Sequence, residues 1–171
     1  MITVSGRNSD PDTTAESRKM QEPALKLLFE ASGQVSPPMV IGQVRGSRRQ
    51  VIPIEPDGPF EGERIRGRMV SGFDWQWVRP DGVTAVEATY LLETDDGVLV
   101  ECRNTGIRHG PPEVMARMGR GELVDPSEYY FRATPVFTAP EGKYDWLNRS
   151  LFLSTGARYP DGVRLRFYEI T

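Results

Sequence analysis

The chain has 171 residues, a length typical of one domain rather than two. It carries 21 Lys and Arg against 24 Asp and Glu, a net charge of −3 with both signs mixed, which argues against a nucleic-acid-binding protein. No apolar run approaches the roughly 20 residues that span a bilayer. The single cysteine, Cys102, cannot form an internal disulfide, and there is neither a Cys or His cluster for zinc nor an apolar signal-peptide core. These features predict a cytoplasmic protein that binds neither nucleic acid nor membrane.

Glycine and proline are frequent, with 17 and 14 copies in the chain. This density is typical of many short strands joined by turns rather than of long helices. Residues 1–22 are polar and include the run Ser-Asp-Pro-Asp-Thr-Thr, so we predict a flexible N-terminal tail with one short helical turn near 15–20. A single domain is then expected to cover residues 23–171.

Turn signals divide the rest of the chain into short elements. Apolar patterns bounded by Gly, Pro or Asp-Gly turns predict strands over 25–31, 39–44, 51–54, 65–70, 74–78, 84–94, 98–104, 129–137, 147–155 and 163–170. One short helix is predicted over 111–119, with Val114, Met115 and Met118 on its apolar side. Turns about ten residues apart indicate an antiparallel meander, and hence a sandwich or a barrel.

Asp74 is the leading candidate for acid–base chemistry. On a strand it shares one face with Gln76, while Trp75 and Trp77 occupy the other, and either face can point inward. A carboxyl desolvated against Trp rings has a raised pKa, which suits it for proton transfer. The alternative is that Asp74 braces the turn before its strand.

Two arginines in predicted strands are candidates for binding negative charge. Arg103 follows an apolar run, where a buried guanidinium needs a partner, and Glu93 or Glu101 can provide it across the strands. Structural ion pairing is the preferred interpretation of Arg103, with ligand binding as the alternative. Arg132 follows three aromatic residues, including Tyr130, that form either a substrate wall or part of the core.

Three further residues are candidates for contacting a ligand. His109, the only histidine, is predicted to lie in a loop, and histidine is the residue type whose charge commonly changes near neutral pH. Its alternative role is to hydrogen-bond the backbone. Trp146 and Asn148 are predicted to share one face of a strand, where they combine an apolar plate with an amide that can orient a carbonyl or hydroxyl. Such mixed polar and aromatic walls suit a lumen that holds a small organic molecule.

The sequence contains no nucleophile elbow, no P-loop and no dinucleotide fingerprint. These absences argue against redox and phosphoryl-transfer enzymes. Chemistry in this chain is therefore expected to need only proton transfer and substrate positioning, with no cofactor and no metal.

Several short runs, in this order and spacing, together resemble the domain-of-unknown-function 3237 family over nearly the whole chain after the tail. The runs are Gly72-Phe73-Asp74-Trp75-Gln76, Arg79-Pro80-Asp81-Gly82, Thr94-Asp95-Asp96-Gly97, Arg103-Asn104-Thr105-Gly106, Pro126-Ser127-Glu128-Tyr129-Tyr130-Phe131-Arg132 and Trp146-Leu147-Asn148. The resemblance implies a small antiparallel β-barrel, similar to the calycin and allene-oxide-cyclase barrels, with a central cavity. For some members it implies an isomerase or cyclase of secondary metabolism that adds a hydroxyl across an activated alkene, similar to chalcone isomerisation. The family's Asp-Trp pair corresponds to Asp74 and Trp75, and its Trp-Leu-Asn run to Trp146 and Asn148.

We therefore expect an all-β protein, a single antiparallel barrel with one short helix, that acts as a cofactor-independent isomerase or cyclase on a small aromatic or enone-type molecule. Asp74 would move a proton, and Arg103 or Arg132 would stabilise the developing oxyanion. The expected substrate-binding residues are Trp75, Tyr90, Glu93, His109, Tyr130, Trp146 and Asn148. The alternatives are a non-catalytic small-molecule-binding barrel and a structural barrel whose lumen is filled by side chains. Exposed strand edges also suggest a homodimer.

Overall fold

The computed structural model describes residues 21–171. Its elements, in chain order, are β1 Leu25–Gln34, β2 Met39–Val44, β3 Ser47–Ile54, β4 Pro59–Glu61, β5 Gly67–Val78, β6 Thr84–Thr94, β7 Leu99–His109, α1 Pro112–Gly119, a 3-10 helix Pro126–Glu128, β8 Tyr130–Thr138, a 3-10 helix Asp145–Arg149, β9 Leu151–Tyr159 and β10 Gly162–Ile170.

Antiparallel pairing closes these strands into a barrel. The hydrogen-bonded order is β2-β3-β5-β4-β1-β10-β9-β8-β7-β6, and β6 returns to pair with β5. β3 and β4 share one position in the wall, between β1 and β5. β4 pairs with both β1 and β5. β3 pairs with β5, and its residue Ile54 forms a single bridge to Val35, which follows β1. The wall therefore has eight positions, and β2 lies outside it as an edge strand beside β3. The predicted single antiparallel barrel with one short helix is confirmed.

Alternating burial along the strands determines which side chains fill the barrel. On β6 every second residue from Thr84 to Thr94 is buried, and the residues between them are exposed or half-buried. This is the period of two expected of a strand with one covered face. At the end of the barrel away from α1 the lumen is filled by phenylalanines. The ring centroids of Phe29 and Phe167 lie 4.4 Å apart, and those of Phe137 and Phe152 lie 4.9 Å apart.

α1 and the segment after it cover the other end of the barrel. Val114 on α1 is buried in a cluster with Val86, Val124, Tyr129 and Phe131. Burying such side chains contributes about 1.5–3 kcal/mol each to stability, which fixes this cover to the barrel. Among the described residues, no helix is both long and apolar enough to cross a membrane.

The prediction of two separate strands over 65–70 and 74–78 is wrong, because β5 runs unbroken through Gly72. A Cβ atom at Gly72 would lie 3.2 Å from the carbonyl oxygen of Thr89 on the neighbouring strand. Glycine here allows two strands to approach closely and does not make a turn. Asp74 consequently lies within a continuous strand, so the alternative that it braces a preceding turn is wrong as well.

β7 continues beyond the predicted end at Asn104 and finishes at His109, so the prediction of a loop around His109 is wrong. Gly106 makes this extension possible. A Cβ atom there would lie 2.2 Å from the carbonyl oxygen of Arg132 on β8, and only glycine leaves room for that pairing.

The prediction that Trp146 and Asn148 share a strand face is also wrong. Both lie in the 3-10 helix Asp145–Arg149, and β9 begins only at Leu151. The helical turn predicted near 15–20 lies outside the described residues.

Candidate functional site

The strand register decides which face of β5 points into the barrel. Asp74 pairs with Ala88 and Gln76 pairs with Val86, and both partners are buried lumen residues of β6. Gln76 is 1% exposed, whereas Trp75 on the opposite face is 38% exposed. Asp74 and Gln76 therefore face the lumen, and the sequence left this choice open.

Asp74 borders a cavity of about 30 Å³ inside the barrel. The cavity lies towards the end that α1 covers, and its walls combine three charged side chains with Gln76, Tyr90 and apolar residues. The lining residues are Val35, Ile52, Ile54, Asp74, Gln76, Tyr90, Arg108, Phe131, Arg158, Val163 and Leu165. This cavity argues against the alternative of a lumen filled entirely by side chains.

A relay of two glutamines holds the Asp74 carboxyl. Gln50 on β3 donates a hydrogen bond from Nε2 to Gln76 Oε1 at 2.8 Å, and Gln76 donates from Nε2 to Asp74 Oδ2 at 2.5 Å. Asp74 Oδ1 is buried and has no hydrogen-bond partner within residues 21–171. Leaving a buried acceptor without a partner costs about 1–3 kcal/mol, so this oxygen is free to accept a hydrogen bond from a group that enters the cavity.

The surroundings of Asp74 favour its protonated form. Burial raises the pKa of the Asp74 carboxyl, and this effect exceeds the opposing effects of the Gln76 hydrogen bond, the nearby backbone N–H of Glu87 and the positive charges of Arg108 and Arg158. A raised pKa makes a carboxyl a stronger base when it is ionised, and the protonated form can then return the proton. Desolvation in the lumen raises the pKa, not the Trp rings that the sequence suggested, because those rings lie on the outer face.

Two arginines project towards the same cavity from β7 and β9. Burial lowers the pKa of both guanidinium groups, and repulsion from Arg158 lowers the pKa of Arg108 further. Arg158 Nη1 donates to the carbonyl oxygen of Gly162 at 2.7 Å, and its backbone N–H donates to the Tyr129 hydroxyl at 2.8 Å. Arg108 Nε is buried without a hydrogen-bond partner.

The carboxyl and the two guanidinium groups line the same cavity without forming an ion pair. Among the described residues, neither Arg108 nor Arg158 places a nitrogen within 4.0 Å of an Asp74 oxygen, the distance that defines an ion pair. A group that accepts hydrogen bonds from arginine and contacts Asp74 Oδ1 would fit between them. The arrangement can thus bind a polar ligand group and exchange a proton with it.

Tyr90 and Asn104 form a second polar wall below Asp74. Burial and the negative charge of Asp74 raise the pKa of the Tyr90 phenol, so it stays protonated and can donate a hydrogen bond. Ser154 Oγ donates to Asn104 Oδ1 at 3.0 Å, and both side chains are buried.

Of the predicted site residues, the structure brings only Asp74 and Tyr90 to this cavity. The prediction that Arg103 acts together with Asp74 in one site is wrong. Arg103 lies on the outer face of β7 with 62% of its side chain exposed, 3.7 Å from Glu101. Its alternative interpretation as a structural ion pair agrees with this contact, although the partner is on the same strand.

Arg132 and Tyr130 also lie on the outer face, as a consequence of alternation along β8. Arg132 donates to the carbonyl oxygen of Phe131 at 2.8 Å, and its guanidinium lies 5.2 Å from the Tyr130 ring centroid. The Tyr130 ring stacks on His109 at 5.1 Å. Because Phe131 faces the lumen, its neighbours Tyr130 and Arg132 must face away from it.

The remaining predicted residues lie elsewhere on the surface or at the far end of the barrel. Trp75 packs against the Arg49 guanidinium at 5.2 Å, and Glu93 accepts a hydrogen bond from Arg68 at 2.5 Å, both outside the barrel. The structure therefore does not bring these two side chains to the Asp74 cavity.

Trp146 and Asn148 support the chain beyond β8. Trp146 lies under the Arg64 guanidinium at 3.5 Å. Asn148 accepts a hydrogen bond from the Ala139 N–H and donates to the Ala139 carbonyl oxygen, each at 2.9 Å. The amide of Asn148 is therefore occupied by the backbone.

Sequence reasoning missed Arg108, Arg158, Gln50 and Gln76 as site residues. The available signal was alternation: Asn104, Gly106 and Arg108 share a face if β7 continues through Gly106. Arg158 carried no comparable signal, because it directly precedes the turn at 159–162.

No cluster of three or more His, Cys, Asp or Glu that could hold a metal is present within residues 21–171. Cys102 is buried, and burial raises the pKa of its thiol. A protonated, enclosed thiol is unreactive.

The fold and the site define a small antiparallel β-barrel whose lumen encloses ionisable groups. The chain belongs to the family described as Protein of unknown function (DUF3237), whose model matches residues 23–170. A UPF0311 protein from Clostridium acetobutylicum is 39% identical over 147 residues, which cover 84% of this chain and 92% of that protein. The resemblance found in the short sequence runs is thereby confirmed.

Solved structures share the fold. A conserved protein of unknown function from Rhodopseudomonas palustris is 35% identical with a TM-score of 0.81, over 89% of this chain and 99% of that chain. A beta-barrel like protein from Acinetobacter baumannii is 33% identical with a TM-score of 0.78, over 90% and 99% of the two chains. An enzyme from Penicillium herquei is 18% identical with a TM-score of 0.67, over 90% and 98%, a likeness of fold alone.

Proposed function

We propose that this protein is a cofactor-independent isomerase or cyclase that acts by proton transfer on a small aromatic or enone-type molecule held in the barrel. One observation supports the proposal above all. Asp74 Oδ1 and Arg108 Nε are both buried without partners, and both residues line the same cavity. An acid–base group and a cationic group are thus both available to the same ligand.

The reaction is the addition of a substrate hydroxyl to an activated alkene in the same molecule, or its reverse. Asp74 Oδ1 removes the hydroxyl proton while the oxygen forms a bond to the β-carbon of the enone. The π electrons of the alkene move towards the carbonyl, which becomes an enolate oxygen. Arg108 and Arg158 stabilise that negative charge, and protonated Asp74 returns the proton to the α-carbon.

In this proposal Arg108 and Arg158 take the role that the sequence assigned to Arg103 or Arg132. A guanidinium stabilises an oxyanion only at hydrogen-bond distance. Arg103 and Arg132 have their side chains on the outer face and contact Glu101 and the Phe131 carbonyl. Tyr90, by contrast, stays in the substrate-binding set because it lines the cavity.

The cavity is too small for the whole substrate, so its walls have to move when the substrate binds. A volume of about 30 Å³ has room for only a few water-sized groups. It accommodates the reacting polar group, while an aromatic skeleton has to displace apolar lining side chains such as Val163 and Ile52. The half-buried Val163 also touches the cluster that fixes α1, so the cover is expected to move with it.

The test uses 2′-hydroxychalcone and related ortho-hydroxy enones, whose cyclisation is followed by loss of the enone absorbance. We expect wild-type protein to accelerate cyclisation of at least one member over buffer. Asp74→Asn should lower that rate by about 10²–10⁴-fold, the usual contribution of a general acid or base. Asp81→Asn, which alters an exposed carboxyl in the β5–β6 turn, is the matched control and should leave the rate unchanged.

Two results contradict the proposed reaction. One is the absence of acceleration by wild-type protein for every member of the panel. The other is a turnover rate of Asp74→Asn equal to that of wild-type protein or of Asp81→Asn.

A non-catalytic binding barrel is the second candidate. It is favoured by the two arginines, since they suffice to hold a ligand without any proton transfer. It predicts saturable binding with the ligand recovered chemically unchanged after prolonged incubation. Conversion of the bound ligand to an isomer excludes it.

A further inference from the structure

The charged groups around the cavity do not balance. Asp74 is the only acidic residue in the lining, whereas Arg108 and Arg158 are both basic. Buried charges in proteins are normally paired, because removing an ion from water is costly. An ionised Asp74 can neutralise one of the two guanidinium groups at most, and Arg108 is the more deeply buried of the two.

Charges outside the lining do not correct the imbalance. Among the described residues, Asp161 is the other carboxylate near these guanidinium groups, and it affects Arg158. Asp161 is exposed in the turn before β10, where solvent and salt weaken its field. Arg108 has no carboxylate near it besides Asp74 among the described residues.

Arg108 is also incompletely hydrogen-bonded. Arg108 Nε has no acceptor, although a guanidinium offers five N–H donors in a fixed plane. The ring of Phe131 lies 5.6 Å from the Arg108 guanidinium carbon and can support it from one side. Arginine in such a setting binds a carboxylate or another oxyanion through paired hydrogen bonds.

We propose that the cavity between Asp74, Arg108 and Arg158 is an anion site, and that the ligand enters it as a carboxylate or an ionised hydroxyl on an aromatic ring. This inference names the substrate class and rests on the proposed function only for the cavity being the substrate site. The anionic head supplies the missing partner of Arg108 Nε. The small cavity has room only for that head, and the ring has to displace apolar lining side chains such as Val163 and Ile52.

The test is titration calorimetry of the full chain with sodium benzoate, with 4-nitrophenolate, and with benzamide as the neutral match of benzoate. Benzoate or 4-nitrophenolate should bind, and whichever binds identifies the type of oxyanion. Benzamide should bind at least about tenfold more weakly than benzoate if the carboxylate is the preferred head. Failure of both anions to bind, or equal affinity for benzoate and benzamide with no binding of 4-nitrophenolate, overturns the proposal.

Variants then locate the site. Arg108→Gln and Arg158→Gln should each weaken anion binding by about tenfold or more. Arg103→Gln is the matched control, since it removes an arginine from the same strand as Arg108 but from the outer face, and it should bind as wild type. Equal losses in Arg103→Gln and Arg108→Gln contradict the proposal. If circular dichroism shows that Arg108→Gln is unfolded, the test relies on Arg158→Gln alone. Anion binding by Arg158→Gln as tight as that by wild type then contradicts the proposal.

Asp74→Asn separates this inference from the proposed reaction. The variant should lose turnover of the enone probe but bind the anion as tightly as wild type or more tightly, because a negative neighbour has been removed. Anion binding without any turnover by wild-type protein supports the anion site and contradicts the isomerase. Turnover without anion binding supports the isomerase and contradicts the anion site.

Discussion

Gln76 donates a hydrogen bond to Asp74 Oδ2 at 2.5 Å, and the two residues stand two positions apart on the same inner face of β5. The glutamine is itself oriented by Gln50 on the adjacent strand. One oxygen of the carboxyl is therefore fixed by the barrel wall, and the other is left for the cavity. This division gives the carboxyl one orientation before any ligand arrives.

Gln76→Leu should raise the pKa of Asp74 further. The Gln76 hydrogen bond lowers the Asp74 pKa in part compensation for burial, so its removal leaves the carboxylate less stabilised. A pH titration of the labelled Asp carboxyl carbons by NMR measures the change in pKa directly. Gln43→Leu, which changes an exposed glutamine on β2, is the control. An unchanged Asp74 titration in Gln76→Leu would show that the contact does not orient the carboxyl.

The pH dependence of stability should also report on Asp74. Its pKa in the folded protein is raised above the value in the unfolded chain, so folding favours the protonated form. The resulting contribution to stability is complete below the ordinary Asp pKa and is lost as the pH rises through the folded-state value. Each tenfold difference between the folded and unfolded acid dissociation constants corresponds to about 1.4 kcal/mol in the free energy of unfolding.

Asp74→Asn cannot ionise, so it should remove this part of the pH dependence. Denaturant unfolding across the acidic and neutral range should show that the stability of wild type falls relative to that of the variant as the pH rises. Asp81→Asn is the control with the opposite sign. Hydrogen bonds lower the pKa of Asp81, so the stability of wild type should rise relative to that of Asp81→Asn as the pH rises. A constant difference in stability between Asp74→Asn and wild type at all pH values would contradict the raised pKa.

The barrel was predictable because its strands alternate and its turns carry Asp-Gly and Pro signals, as at 79–82 and 95–97. Two of the errors in the strand boundaries arose at glycines. Gly72 and Gly106 resemble turn residues in the sequence, yet both permit close packing between strands. Arg108 was missed as a site residue because the predicted strand ended before Gly106.

The inward and outward faces of the strands could not be read from residue type. On β5 the polar pair Asp74 and Gln76 faces the lumen, and the tryptophans face outward, where Trp77 stacks on Arg49 at 4.5 Å. Hydrophobicity alone predicts the reverse. The orientation follows from pairing with Ala88 and Val86, which is information about the register of distant strands.

Asn148→Ala should destabilise the fold without changing the cavity. The Asn148 side chain bonds both the N–H and the carbonyl of Ala139, and leaving these groups unpaired costs about 1–3 kcal/mol. Thermal unfolding measures the loss. Arg149→Ala removes the neighbouring exposed ion pair with Asp145 and should cost no more than about 1 kcal/mol. A folded Asn148→Ala protein that no longer binds the ligand would contradict this prediction and would show that Asn148 contributes to ligand binding.

Gly156→Ala should damage both the fold and the site. Gly156 lies on β9 beside Phe131, and a Cβ atom there would lie 2.3 Å from Cδ1 of the Phe131 ring. The ring is buried and has the Arg108 guanidinium 5.6 Å from its centroid, so it can only move towards the cavity. Such overpacking costs about 1–3 kcal/mol, and each kcal/mol lowers the Tm of a domain this size by about 2–4 °C.

Gly119→Ala is the matched control for that prediction. Nothing lies within 4 Å of a Cβ atom at Gly119, which ends α1, and alanine is the better helix former. Its stability should therefore equal or slightly exceed that of wild type, with unchanged anion binding. Gly156→Ala should combine a lower Tm with weaker binding, because the displaced Phe131 ring occupies the space in which the ligand would contact Arg108. Wild-type stability in Gly156→Ala would mean that the β8–β9 seam opens more readily than this packing allows.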